Sequence, residues 1–175
     1  MKRLIFIIVG IVAGLALLAG VIALIGSQLP KAHTASRSIL LKQPPEKVYA
    51  AIRDFGSAPS WRSDVKRIDV QPQSSGPLHL REEGSNGTVN YELAEDVPNQ
   101  RMVTRILDTD LGYSGKWTYV FAAENGGTRV TITEDGEVSN VLFRFMSRYI
   151  FGHTATLDGY LTSLAKRFGE SATPQ

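Results

Sequence analysis

The sequence predicts an α+β protein. A curved antiparallel sheet wraps on a long C-terminal helix, in the order β-α-α-β6-α, and one apolar N-terminal helix precedes it. Three observations carry this. Leu4 to Ile25 contains no charge, Pro, Asn or Gln; Val65 to Val138 alternates apolar and polar residues with period two; and Asn140 to Phe168 returns to helical spacing.

The N-terminal run spans roughly 33 Å as a helix at ~1.5 Å per residue, against ~30 Å for a bilayer core. Inside lipid the backbone must satisfy its own hydrogen bonds, which selects a helix. An ordinary domain rarely buries a helix that is apolar on every face. A cleaved signal peptide would use Met1-Lys2-Arg3 as its charged start, but its apolar core is usually ~7–15 residues long. Gly26-Ser27-Gln28 is also a poor cleavage match, so an uncleaved single-pass membrane anchor is expected. Lys2, Arg3 and the terminal amine lie before the span, and only Lys31 follows it closely. This places the N-terminus in the cytoplasm and the domain on the outer side. Gly10 and Gly14 have the spacing of a helix-packing motif, although glycines are frequent in membrane spans. Oligomeric state stays open.

The expected organisation is an anchor at 1–26, a linker at 27–35, a domain at 36–170 and a loose polar tail at 171–175. Of 19 basic and 17 acidic residues, Lys2 and Arg3 leave with the anchor, giving 17 against 17. A nucleic-acid partner would require a basic face, and the neutral domain supplies none. The absence of Cys excludes disulfides and thiolate metal sites.

Ser36 to Lys42 reads as a strand. Pro44-Pro45 then opens a helix with Glu46 in its first turn, where the positive helix end favours a carboxylate. Val48, Ala51, Ile52 and Phe55 form its apolar stripe. Gly56, Pro59 and Trp61 mark a second, very short helix or turn. Six strands follow, carried by Ile68/Val70, Leu78/Leu80, Val89/Tyr91/Leu93, the stretch between Pro98-Asn99 and Leu111-Gly112, Trp117/Tyr119/Phe121 and Val130/Ile132. Asn86-Gly87 and Asn125-Gly126-Gly127 are hairpin signals, so the strands should form an antiparallel meander with one face covered. The cover is the final helix, with Leu142, Phe145, Met146, Tyr149, His153, Leu157, Tyr160, Leu164 and Phe168 on roughly one side.

The stretch PPEKVYAAIRDFGSAPSWRSDV resembles the opening of the START-like (SRPBCC) superfamily of polyketide cyclases, dehydrases and lipid-transport proteins. The later GGTRVTITEDGEV and RYIFGHTATLDGYLTSLAKRF resemble its last strand and C-terminal helix. The resemblance covers Ser36 to Phe168. It implies the helix-grip fold, with a ligand between the sheet's inner face and the long helix. It implies no particular reaction, because members include binders, carriers and enzymes.

Candidate pocket residues are Trp61, Tyr91, Trp117, Tyr119, Tyr149, His153 and Tyr160, a mostly apolar set with a few polar tips. His153 is also a candidate for proton exchange, against the alternative of an ordinary core histidine. Glu82 and Glu134 fall in phase with Leu80 and Ile132, so alternation aims them inward as candidate acids or bases; the alternative is a strand end already in solvent. Arg81 and Arg105 are candidates for an anionic group. Gly152 and Gly159 in the helix suggest a close approach or local bending. No phosphate loop, nucleophile elbow or metal-ligand spacing is present, so neither metal nor cofactor is expected.

The leading expectation is a membrane-tethered module binding a hydrophobic small molecule or lipid. The first alternative is a cyclase- or dehydrase-like enzyme using His153 with Glu82 or Glu134. The second is an envelope interaction protein whose cavity is filled by its own side chains.

Overall fold

The computed structural model describes residues 2–85 and 87–175. Met1 of the charged start and Asn86 of the Asn86-Gly87 hairpin signal lie outside the described residues.

Helix α1 (Lys2–Gln28) is long and apolar enough to cross a membrane, and its leucines, isoleucines and valines, the half-buried Ile22 apart, are exposed. Strand β1 (Ala32–Leu41) follows after only Leu29–Lys31. It begins at Ala32 rather than Ser36 because its polar first residues pair with the last strand, Ala32 opposite Glu137 and His33 opposite Gly136. Ladder hydrogen bonds need no apolar side chains, so alternation could not show them.

Helix α2 (Pro45–Arg53) starts at the proline and ends in a 3-10 turn (Phe55–Ser60) that delivers Trp61. The meander is β2 (Val65–Gln71), β3 (Leu78–Gly84), β4 (Gly87–Val97), β5 (Arg101–Ile106), β6 (Tyr113–Glu124) and β7 (Gly127–Val138). With β1 beside β7 the sheet has seven antiparallel strands, ordered β1-β7-β6-β5-β4-β3-β2. Asn125 and Gly126 both take positive φ between the paired Glu124 and Gly127, the turn whose twist matches the flanking strands.

The final helical stretch differs from the single long helix that spacing predicts. It is divided into α3 (Val141–Met146), a π-turn (Ser147–Phe151) and α4 (Ala155–Arg167). Gly152 causes the break: its φ of 73° and ψ of 162° lie in a region open essentially only to glycine. Leu157, Tyr160, Leu161, Leu164 and Ala165 bury one face of α4 on the sheet, against Ile39, Leu41, Val130 and Ile132. Leu142 and Tyr149, expected on that same face, are exposed. At Gly159, within α4, an added Cβ would meet nothing within 4 Å. No close approach requires a glycine there.

Candidate functional site

Register and alternation define the wall that α4 grips. On β6 the inward residues are Gly115, Trp117, Tyr119 and Phe121, facing Gly136, Glu134, Ile132 and Val130 of β7. On β3 and β4, Glu82 faces Val89 and Leu80 faces Tyr91. Helix α4 begins at the level of Arg37, which donates to Asp158 at 2.9 Å and to Thr154 at 3.3 Å. Beyond that level the inner face continues, uncovered by α4. Tyr91, Thr104, Ile106 and Trp117 are therefore only half-buried although they point inward.

Behind this mouth, aromatic rings pack against one another. Tyr160 of α4 is the hub, with centroids 5.4 Å from Trp61, 5.7 Å from Trp117 and 5.8 Å from Tyr119. Burial is the first cause that raises the Tyr160, Tyr119 and Tyr91 hydroxyls above their usual pKa, and Glu82 adds to the rise of the last two. These phenols are neutral donors at physiological pH. The indole Nε1 of Trp61 is buried without a hydrogen-bond partner among the described residues.

Two polar groups sit on this aromatic wall. In the first, the Arg62 guanidinium donates to both oxygens of Glu82 at 3.0 and 3.2 Å and to Asp64 at 2.6 Å, and it lies 5.1 Å over the Tyr160 ring. Tyr91 completes the group by donating to Glu82 at 3.2 Å. Burial works against the Arg62 charge, but the hydrogen bond to Asp64 and the field of Glu82 outweigh it and raise its pKa. In the second, Trp117 Nε1 donates to Glu134 at 3.1 Å, and His33 Nε2 stands 3.2 Å from the other carboxylate oxygen. A carboxylate only accepts, so this contact is a hydrogen bond in the tautomer that carries its proton on Nε2. His153 stacks on His33 with centroids 4.4 Å apart. Its pKa is lowered, first by burial and then by the fields of His33 and Arg148, while Glu134 opposes them. Gly136 makes room for this arrangement, since a Cβ there would lie 2.5 Å from the His33 ring.

Sequence-predicted residues thus fall into distinct places. Trp61, Tyr91, Trp117, Tyr119 and Tyr160 come together on one wall. His153 lies in the gap before α4 rather than on a helix face. Glu82 and Glu134 do point inward, but they stand on β3 and β7, about 19 Å apart along the sheet at ~4.8 Å per strand, and bind different partners. Tyr149 lies outside the wall, exposed and packed on Phe145 at 5.0 Å. Arg105 is on the outer face with the buried Glu92, and Arg81 is exposed near Glu83. Sequence reading missed Arg62, His33 and Asp64. Arg62 follows Trp61 directly, but no periodic signal marks a residue leaving a 3-10 turn.

A surface cleft of about 530 Å³ lies at the end of the sheet, with Thr34, Arg105, Lys116 and Asp135 on its outer side. His33, Ile106, Gly115 and Gly136 of the inward set also line it, so the cleft wraps around the end of the sheet at which the mouth opens. Among the described residues no group of three or more His, Cys, Asp or Glu could hold a metal ion.

Comparison with known proteins accords with this geometry. The family model for polyketide cyclase / dehydrase and lipid transport matches residues 32–169. A START superfamily protein from Mycobacterium smegmatis has the same fold at 15% identity and TM-score 0.61, covering 77% of this chain and 96% of its own. The Zhui aromatase/cyclase from a Streptomyces species superposes at 12% identity and TM-score 0.61, covering 78% of this chain and 96% of its own. The di-domain aromatase/cyclase StfQ of the steffimycin biosynthetic pathway superposes at 12% identity and TM-score 0.62, over 79% of this chain. The chain spans about half of StfQ, 52% of its length. No curated protein sequence matches at a significant level. The chain belongs to the polyketide cyclase/dehydrase and lipid transport family, and the part that follows α1 has the helix-grip fold.

Proposed function

We propose that the protein is a membrane-tethered binding module. It holds a hydrophobic or amphiphilic small molecule, or a lipid, against the inner wall at the mouth between sheet and α4. One observation carries the reading: inward-facing Tyr91, Thr104, Ile106 and Trp117 stay half-buried because α4 does not cover their end of the sheet. In a closed domain these positions would be core. The wall suits an amphiphile, being mostly apolar with a few oriented polar groups. The Arg62–Glu82–Tyr91 and Trp117–Glu134–His33 groups offer charge and hydrogen bonds to a polar head, and Trp61 Nε1 is a buried donor without a partner.

Helix α1 supplies the tether, with the N-terminus cytoplasmic and the domain on the outer side. No nucleic acid or cofactor belongs to this reading. If proton transfer occurs, it falls to His153 and Glu134, which share His33 as a neighbour, rather than to Glu82, which Arg62 and Tyr91 occupy. A second reading, an interaction module with a filled interior, is favoured by one fact. The Trp61, Trp117, Tyr119 and Tyr160 rings fill the space between sheet and α4 with their own contacts.

Native mass spectrometry of the full chain, released gently from membranes, separates the two. A copurifying apolar ligand, displaced by an apolar fluorescent probe, supports binding. A ligand-free protein that leaves the probe unshifted favours the filled interior.

A further inference from the structure

The end of the sheet at which the mouth opens is also the end from which α1 departs. β1 and β6 begin there, β5 and β7 end there, and α4 starts there. The junction is tightly made. Gly26 in the last turn of α1 is buried against Val141 of α3, where an added Cβ would collide with the Val141 backbone. The buried Arg144 donates through Nη1 to the Leu29 carbonyl at 2.8 Å, just past the helix end, where a cation is favoured. Val138 donates to the Lys31 carbonyl at 2.9 Å, so the three-residue connection is held on both sides.

The height of this junction in a bilayer follows from length. Leu4 to Ile25 spans roughly 33 Å, which fills the ~30 Å hydrocarbon core. Gly26 then stands at the boundary between acyl chains and headgroups, and α3, in contact with Gly26, stands at the same depth. From that position α3 and the π-turn expose Leu142, Phe143, Tyr149 and Ile150, each 47–59% accessible, with the exposed Arg148 among them. Apolar residues with an aromatic and a basic side chain are the composition that settles in this boundary layer. Large apolar side chains left uncovered in a group mark an interaction surface.

We propose that the segment Val141–Ile150 docks into the interfacial layer of the bilayer that α1 crosses, holding the mouth of the helix-grip interior toward the lipid. The inference rests on the membrane reading of α1 and deepens the binding proposal: its ligand reaches the wall from the membrane rather than from water.

The chain has no cysteine, so single labels are easily placed. Full-length protein in phosphatidylcholine vesicles would carry an environment-sensitive fluorophore at one of four positions. Leu15→Cys lies within α1, Phe143→Cys and Ile150→Cys lie on the docking segment, and Ser75→Cys lies in the β2–β3 turn at the far end. All four side chains are exposed, which leaves folding intact. The expected result is blue-shifted emission and quenching by nitroxide-labelled acyl chains at 15, 143 and 150, with neither at 75. Lipid quenching at 15 without quenching at 143 and 150 overturns the docking proposal and leaves the tether standing. A blue shift at 143 and 150 without lipid quenching means that protein covers the segment, and also overturns it. Absence of quenching at all four positions removes the tether, and docking with it.

Discussion

The Arg62 guanidinium lies 5.1 Å over the ring of Tyr160, so the residue that leaves the 3-10 turn is coupled face-on to the middle of α4. The same guanidinium grips Glu82 on β3 with two hydrogen bonds. One side chain therefore ties together the turn, the sheet and the helix. The Trp61, Trp117 and Tyr119 rings each pack on Tyr160, and Tyr91 joins through its hydroxyl on Glu82.

Removing that tie should destabilise the fold. The Arg62 and Glu82 side chains are 12% and 21% exposed, below full burial, so Arg62→Ala should cost about 2–3 kcal/mol, less than the ~3–5 of breaking a fully buried pair. Arg62→Lys should recover only part of this, since it keeps the charge but loses the fork and the stacking plane. Thermal unfolding of the full chain in detergent measures both, and an Arg62→Ala variant as stable as the parent would refute the coupling.

Trp61 and Trp117 are the chain's two tryptophans, and both contact Tyr160. Selectively excited tryptophan fluorescence thus reports on the wall. A long-chain amphiphile bound at the mouth should shift the emission of the half-buried Trp117 to the blue. The Trp117→Phe variant should lose most of the shift and weaken binding about tenfold, in keeping with ~1–3 kcal/mol for the lost aromatic area. A shift unchanged in Trp117→Phe would place the ligand elsewhere.

His153 gives stability a pH dependence whose sign follows from its lowered pKa. Between that depressed folded value and the ordinary ~6.5 of an unfolded histidine, the unfolded chain binds more protons. Its contribution is therefore intact above about pH 6.5 and lost as pH falls toward the folded value. Urea unfolding across this range should show His153→Asn with a shallower decline than the parent. The facing groups, His33, Arg148 and Glu134, are retained in both proteins, so the difference isolates His153.

Two glycines in one stretch should respond oppositely to alanine. Gly152→Ala forces a Cβ into a glycine-only backbone conformation and should cost about 1–3 kcal/mol. Gly159→Ala places its methyl in open space within α4 and should stabilise by about 0.5–1 kcal/mol. Equilibrium unfolding of the two variants tests whether the chain break before α4 is held by Gly152.

Local patterns along the chain encode most of the elements. Apolar length set α1, period-two alternation set β2, β3, β4, β6 and β7, turn signals bracketed β5, Pro44-Pro45 set the start of α2, and Asn125-Gly126 set a hairpin. The inward phase of Trp117, Tyr119, Glu82 and Glu134 was legible too, because side chains on a strand alternate whatever the sheet does next. Tertiary structure decided the rest. Polar His33 and Thr34 belong to β1 because β7 offers them ladder partners, which no hydropathy pattern records. The break at Gly152 depends on a backbone conformation, and apolar spacing ran through it undisturbed. It moved Tyr149 off the wall and set His153 on His33. Arg62 reached Glu82 and Tyr160 only because residues far apart in sequence converge when the sheet curves around α4. The tightest decision of this kind is the seat of α3 on Gly26, which puts the mouth of the interior and the end of the apolar helix at the same edge of the protein.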